Sequence, residues 1–151
     1  MLDFASLYPS IIKVHNLSYE TVRCSHNECK TNLITETNHW VCKKQRGITS
    51  LIIGSLRDLR VNYYKRISGA DSLSTEDQNL YTVVAQALKV ILNASYGVMG
   101  AEIFPLYCLP VADATTAIGR FRRHAVIPSF DADGTVNYYL GRAIDDVIMK
   151  Y

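Results

Sequence analysis

Thr75 to Gly100 reads TEDQNLYTVVAQALKVILNASYGVMG, an uninterrupted run of helix-forming residues that predicts one long helix, capped at Ser74 or Thr75 and running to about Tyr96. At 100° per residue, Lys89, Asn93 and Tyr96 fall within about 60° of one another, whereas Ala87, Ile91, Ala94 and Val98 point the opposite way. Such a helix can bury one face and present an ammonium, an amide and a phenol to a cleft. A lysine there offers a mobile cation to phosphate oxygens, and an aromatic ring beside Gly97 leaves room for a base pair to stack closely. The plainer reading is a polar surface and a Tyr-Gly helix end.

Upstream, Ile52, Leu56, Leu59 and Tyr63 recur at spacings of 4, 3 and 4, one face of a helix within 48–67, with Arg57 and Arg60 off that stripe. Ser68 to Thr75, with Gly69, Asp71 and further serines, marks a turn, so the two helices are predicted to form an antiparallel hairpin. Downstream, Phe104 to Pro110 is apolar and predicted extended, and Ala112 to Arg123 has helical composition. From Ala125 to Tyr139, β-branched and aromatic residues flank Asp131-Ala132-Asp133-Gly134, the pattern of a tight hairpin. At the other end, residues 1–12 predict a short strand bending at Pro9, and 20–47 an irregular polar excursion. The expected class is α+β, in segments 1–47, 48–97, 98–124 and 125–151.

The 16 basic and 14 acidic residues give a net charge of +2, which alone implies no polyanion partner. Their distribution says more. Lys43, Lys44, Arg46, Arg57, Arg60, Lys65 and Arg66 face a single acid, Asp58, and Arg120, Arg122 and Arg123 follow later. Such patches suit phosphate, or serve as a solvated charged face. No run of about 18 apolar residues is present, so no membrane span is expected. No basic stretch leads into an apolar one at the N-terminus, so no secretory signal is expected and the location expected is intracellular. Cys24-x4-Cys29 and His39-x2-Cys42, with His26 as a spare, supply four ligands of tetrahedral zinc type; a disulfide or free thiols are the alternatives. Cys108 stands alone in an apolar run and reads as core.

Asp3 opens Asp3-Phe4-Ala5-Ser6-Leu7-Tyr8-Pro9-Ser10. A carboxylate at a sharp bend is most often a cap, yet one or two carboxylates with substrate phosphates and water are also how Mg²⁺ is usually held. Two stretches together carry a resemblance. Asp3 to Ile12, DFASLYPSII, is similar to the first palm motif of family B DNA polymerases, and Leu88 to Gly100, LKVILNASYGVMG, carries that family's Lys-x3-Asn-x2-Tyr-Gly fingers signature. They occur in the family's order, and 16–22 and 47–64 look most like the archaeal branch. The resemblance covers about residues 1–120.

It implies a partial palm of antiparallel strands with a two-helix fingers hairpin. It further implies that Asp3 and the Phe4 carbonyl bind Mg²⁺, and that Ser6 and Leu7 offer N–H groups to a triphosphate. Tyr8 would be a steric gate against a ribose 2′-hydroxyl. Arg60, Lys89 and Asn93 would grip the incoming nucleotide, and Ser95, Tyr96 and Gly97 would line the base-pair pocket. Asp3 and Lys89 carry the catalytic expectation. Partners implied are primer–template DNA, deoxynucleoside triphosphates, further polymerase domains and a sliding clamp, in a nucleoid-associated cytoplasmic setting. The family often has a lysine four residues after the first fingers arginine; here that position is Tyr64, with Lys65 next to it.

The family also needs an Asp-x-Asp hairpin. Asp131-Ala132-Asp133 has the local grammar, but only 11 residues separate Gly119 from Asp131, and a bland Asp-Gly turn fits better. Val126 to Tyr139 reads more like phage-type primases. The expectation is therefore a DNA polymerase fragment, inactive alone. The alternatives are a non-catalytic nucleic-acid or zinc-binding module, and a replication-protein chimera with a primase-like tail.

Overall fold

The computed structural model describes residues 6–34, 36–70, 73–124, 128–130 and 136–138. Among these, helices dominate: α1 (Leu7–Val14), α2 (Ile48–Asp58), α3 (Lys65–Ile67), α4 (Thr75–Met99) and α5 (Leu109–His124), with a 3₁₀ turn at Asn27–Thr31. The expected α+β palm of antiparallel strands is thereby overturned. Extended pairing is confined to β1 (Pro128–Phe130) and β2 (Val136–Tyr138), antiparallel with Phe130 opposite Val136, and to two isolated bridges, Val22 with Val41 and Leu33 with Trp40. The Asp131 to Gly134 turn lies outside the described residues.

Over residues 7–12 the predicted strand and its bend at Pro9 are instead part of α1, and residues 1–5 lie outside the described residues. Pro9 occupies the first helical turn, where its missing N–H removes no hydrogen bond. Ile11 and Ile12 then enter the core together, burying 96% and 100% of their surface, as adjacent residues of a helix can and alternating residues of a strand cannot. The stretch predicted extended, 104–110, is also corrected. Successive turns run through it (Phe104 N–H to the Ala101 carbonyl, Tyr107 N–H to Phe104), and α5 begins at Leu109 with Pro110 again in a first turn.

The core packs α1 against α2, α4 and α5: Ile11, Ile12 and Leu17 meet Ile53, Leu92, Met99, Val111 and Ile118, and Val22, Ile34 and Val41 reach in from the excursion. The first hairpin helix does not bury the stripe expected of it. Leu56 is partly buried, but Ile52, Leu59 and Tyr63 stay 55%, 43% and 48% exposed, and Ser50, Ile53, Gly54 and Arg57 face inward. Two causes are visible. α1 lies so close that a Cβ on Gly54 would stand 2.8 Å from Lys13 Cγ, so the small residues of α2 face it. Beyond Asp58 the helix widens into a π stretch, Leu59–Tyr64, which breaks the 3.6-residue period on which the expected stripe rests.

α4 runs to Met99, three residues past the expected end, and Ser74 caps it by accepting from the Asp77 N–H. It buries Ala85, Leu92 and Met99, while Val83, Val90 and Ile91, the last on the face expected to be buried, are 65%, 67% and 49% exposed. By length and hydropathy it is long and apolar enough to cross a membrane, with 22% of its most apolar 18-residue window buried. In this fold its inward residues pack on the other helices. Gly47 offers no capping side chain to α2, so the Ile48 and Thr49 N–H groups are taken by Glu20 and the Ser18 hydroxyl.

Lys13 of α1 reaches Asp58 at the end of α2, Nζ to Oδ2 2.6 Å, and Arg57 Nη1 holds Oδ1 at 3.0 Å. Burial acts upward on the Asp58 carboxyl, but Lys13 and Arg57 outweigh it and hold the group below the usual carboxylate range. A depressed carboxylate stabilises the fold above its unfolded pKa of about 3.9, and that contribution fades as pH falls through the folded value. Asp58→Asn is therefore expected to cost about 1 kcal/mol near neutral pH. Urea denaturation of both proteins at pH 7 and again near pH 3 should show the gap closing in acid; an equal gap at both pH values would assign the loss to something other than these ion pairs.

Candidate functional site

The residues singled out at the two ends of the sequence argument meet at the N-terminus of α1. Ser6, the residue before the helix, takes the left-handed conformation (φ 57°, ψ 50°), so the N–H groups that open α1 are left without helical partners. Its hydroxyl accepts from Arg60 Nη1 at 3.1 Å, and Arg60 Nε donates to the Ala85 carbonyl at 3.1 Å. Ala85 lies one turn before Lys89, so Arg60 is laid against α4 just below that lysine. The guanidinium thus ties the π stretch, α1 and α4 together, and that π stretch is invisible to periodicity.

Tyr8 stacks on Tyr96, ring centroids 4.5 Å apart and planes 25° from parallel. Burial and the neighbouring Tyr8 push the Tyr96 phenol above its ordinary value, so it stays a neutral donor at neutral pH. Tyr8 also meets α5 at Gly119, where a Cβ would stand 3.1 Å from Tyr8 Cε1. Gly119 was not singled out by sequence reasoning; its place after a run of small residues, Ala112 to Ala117, was the available signal for a close helix approach.

Leu7 is half-buried behind Tyr8, whereas Lys89, Asn93 and Gly97 lie exposed along α4. A side chain at Gly97 would meet nothing within 4 Å. Ser95 turns back on its own helix, its hydroxyl donating to the Ile91 carbonyl at 2.8 Å. Asp3 and Phe4 fall outside the described residues, as do Asp131 and Asp133, so no carboxylate is placed among these groups. Of the basic run, Arg57 is buried against Asp58, Lys44 pairs with Glu28, and Arg46 donates to the Lys13 carbonyl.

The excursion gathers a second group. Cys24, His26, Cys29 and Cys42 bring their ligand atoms within 4.8 Å of one another, with the three cysteines buried. This corrects the ligand set read from spacing: His26 stands where His39 was expected. His39 is occupied elsewhere. Arg23 Nε donates to its Nδ1 at 2.8 Å, and since arginine only donates, the ring proton sits on Nε2 and faces Asp113 Oδ2 at 3.1 Å. Burial pushes the Cys24 thiol up, whereas on Cys42 the Lys44 and Gln45 N–H groups outweigh burial and bring it down to about 7.

The tightness around Tyr8 is testable. Gly119→Ala gains roughly 1 kcal/mol of helix propensity but drives a methyl into the Tyr8 ring, an overpacking cost of about 1–3 kcal/mol. A net loss of about 1 kcal/mol is expected by chemical denaturation, and it should vanish when Tyr8→Ala is added, because the ring that clashes is gone. Strictly additive losses would mean that Gly119 and Tyr8 do not press on each other.

A family model described as DNA polymerase family B matches residues 1–126. DNA polymerase 1 of Aeropyrum pernix is 52% identical over 121 residues, 80% of this chain and 12% of that protein. DNA polymerase 1 of Sulfurisphaera ohwakuensis is 50% identical over 124 residues, 80% of this chain and 14% of that protein. The chain thus spans about a seventh or less of the length of these relatives. Among solved structures, the family B DNA polymerase from the hyperthermophilic archaeon Pyrobaculum calidifontis superposes with a TM-score of 0.64, covering 97% of this chain and 21% of that one at 24% identity, a likeness of fold. With more than half of its length matched by the family model, and both motifs meeting in space, this chain belongs to the family B DNA polymerases.

Proposed function

We propose that this chain is the nucleotide-gripping part of a DNA-directed DNA polymerase, adding deoxynucleotides to a primer 3′-hydroxyl on a DNA template. The observation that carries the reading is the junction of its two motifs: Ser6 held by Arg60, and Tyr8 stacked on Tyr96. The left-handed Ser6 followed by α1 presents N–H groups of Ser6 and Leu7 in the manner of an anion nest, suited to triphosphate oxygens. Arg60, bonded to the Ala85 carbonyl, and Lys89, one turn beyond Ala85 on α4, supply the cations for the same phosphates, and Asn93 lies one turn further on the same face.

Tyr8 is the discriminating group in this reading. Its ring stacks on Tyr96 and touches α5 beside Gly119, so a 2′-hydroxyl placed over it would meet a braced obstacle. Tyr96 and exposed Gly97 supply a flat, open surface for the nascent base pair, with Ser95 beside them. Asp3 and the Phe4 carbonyl are the groups that would hold Mg²⁺, which when bound neutralises phosphate charge in the transition state. That set needs a second carboxylate beside Asp3, and Asp131 and Asp133, the sequence's candidates for it, lie outside the described residues.

The test is a graft of residues 1–124 into the matching segment of the Aeropyrum pernix enzyme, with steady-state incorporation measured on primer–template DNA. Lys89→Ala should lower kcat/KM for deoxynucleotides by about 100-fold or more, the range for losing a group aimed at transition-state charge. Tyr8→Ala should narrow the preference for deoxy- over ribonucleotides by at least about tenfold, some 1.4 kcal/mol. Unchanged kinetics in both variants would remove the reading. Gly97→Ala separates stability from function: the fold should gain about 0.5–1 kcal/mol because the added methyl is unopposed, while primer extension slows.

A further inference from the structure

The Cys24, His26, Cys29 and Cys42 group has no part in the nucleotide site, and its geometry stands independently of the polymerase reading. We propose that these four residues form a closed, tetrahedral zinc site whose role is to fix the excursion 18–47 and, through Asn16, the junction between α1 and α2.

Distances carry the assignment. With Zn–S near 2.3 Å and Zn–N near 2.0–2.1 Å, a tetrahedral ion sets two sulfurs about 3.8 Å apart and a sulfur and a nitrogen about 3.5 Å apart. Cys29 Sγ lies 3.9 Å from Cys42 Sγ, and Cys42 Sγ lies 3.4 Å from His26 Nδ1. A disulfide would need about 2.05 Å between sulfurs. An iron–sulfur cluster would spread its thiolates over separate iron atoms, whereas here all four ligand atoms lie within 4.8 Å of one another. A Cys₃His set with no fifth group among the described residues is the structural kind of site, not the open catalytic kind.

The surroundings suit a bound cation with negative sulfur ligands. The Lys43 N–H donates to Cys29 Sγ at 3.4 Å, and the Lys44 and Gln45 N–H groups act on Cys42. Trp40 covers the buried thiols and donates its indole N–H to the Cys24 carbonyl at 2.9 Å. The bridge of Val22 to Val41 brings Cys24 and Cys42 alongside each other, and the 3₁₀ turn Asn27–Thr31 delivers Cys29 between them. No long helix or wide sheet supports this excursion, so a four-coordinate ion supplies the cross-linking that its small core lacks.

Beyond the site lies a single relay. Asn16 follows α1, takes a left-handed backbone (φ 56°), and donates to the Cys42 carbonyl at 3.3 Å and the Gln45 carbonyl at 2.9 Å. Its side-chain oxygen accepts from the Gly47 N–H at 2.8 Å and the Ser50 hydroxyl at 3.1 Å. The segment carrying Cys42 is thus bonded at once to the end of the helix bearing Tyr8 and to the start of the one leading to Arg60.

The test uses the full chain, purified without added metal and without chelator. Elemental analysis should find one zinc per chain, with three cysteines protected from thiol reagents and Cys108 reactive. Replacing zinc with Co²⁺ should give the intense visible bands of a tetrahedral thiolate site. His26→Ala should weaken zinc at least about tenfold, and His39→Ala should leave it bound. Zinc removal by a chelator should lower the thermal midpoint and raise amide exchange in 18–50, a readout that needs no variant to fold. Four reactive thiols without metal, a mass lower by two hydrogens from a disulfide, iron with cluster absorbance, or zinc lost on His39→Ala but kept on His26→Ala would each overturn the proposal.

Discussion

The structure depends on how a helix of eight residues is held. α1 is too short to persist in water by its own hydrogen bonds, so its conformation is imposed from outside. Ile11 and Ile12 anchor it in the core, Lys13 fixes it to the end of α2, and Asn16 ties its exit to the metal-type loop. These three tethers therefore decide where Ser6 and Tyr8 stand. Ser6 and Tyr8, proposed to contact the nucleotide, thus sit on a short helix with little stability of its own, an arrangement that makes their geometry a property of the whole fold.

The hairpin of long helices was legible because it rests on local signals: a serine cap at Ser74, a polar turn, and 25 residues without proline. Residues 7–12 were not. Pro9 reads as a bend when taken alone and as an ordinary first-turn residue once the helix is packed. The same ambiguity hid the start of α5, at Pro110. Burial was misjudged along α2 for another reason, since periodicity presumes a regular helix and cannot register a π stretch, nor know that α1 approaches to within contact of Gly54.

The candidate site was readable in its residue types and less so in its partners. Family motifs pointed to Tyr8, Arg60 and Tyr96, but only the packed helices reveal that Arg60 bonds Ser6 and that Gly119 backs the Tyr8 ring. For the cysteines, sequence spacing favoured His39 because it mirrors a familiar ligand interval. Its ring is instead saturated by Arg23 and by Asp113, 74 positions further along the chain. No local pattern can report a competitor that distant.

The π stretch also changes what counts as an equivalent position. Five residues on from Arg60, an α-helix would carry a side chain about 140° away from it, but at about 4.4 residues per turn the same step closes to about 50°. Tyr64, four residues on, turns toward Tyr81 of α4, ring centroids 6.1 Å apart. On that wider turn Tyr64 lies about 30° to one side of Arg60 and Lys65, which is exposed, about 50° to the other. Positions counted at 3.6 residues per turn from α2 are therefore misplaced beyond Asp58, and which side chains share a face with Arg60 is set by the widened turn and not by the sequence interval alone.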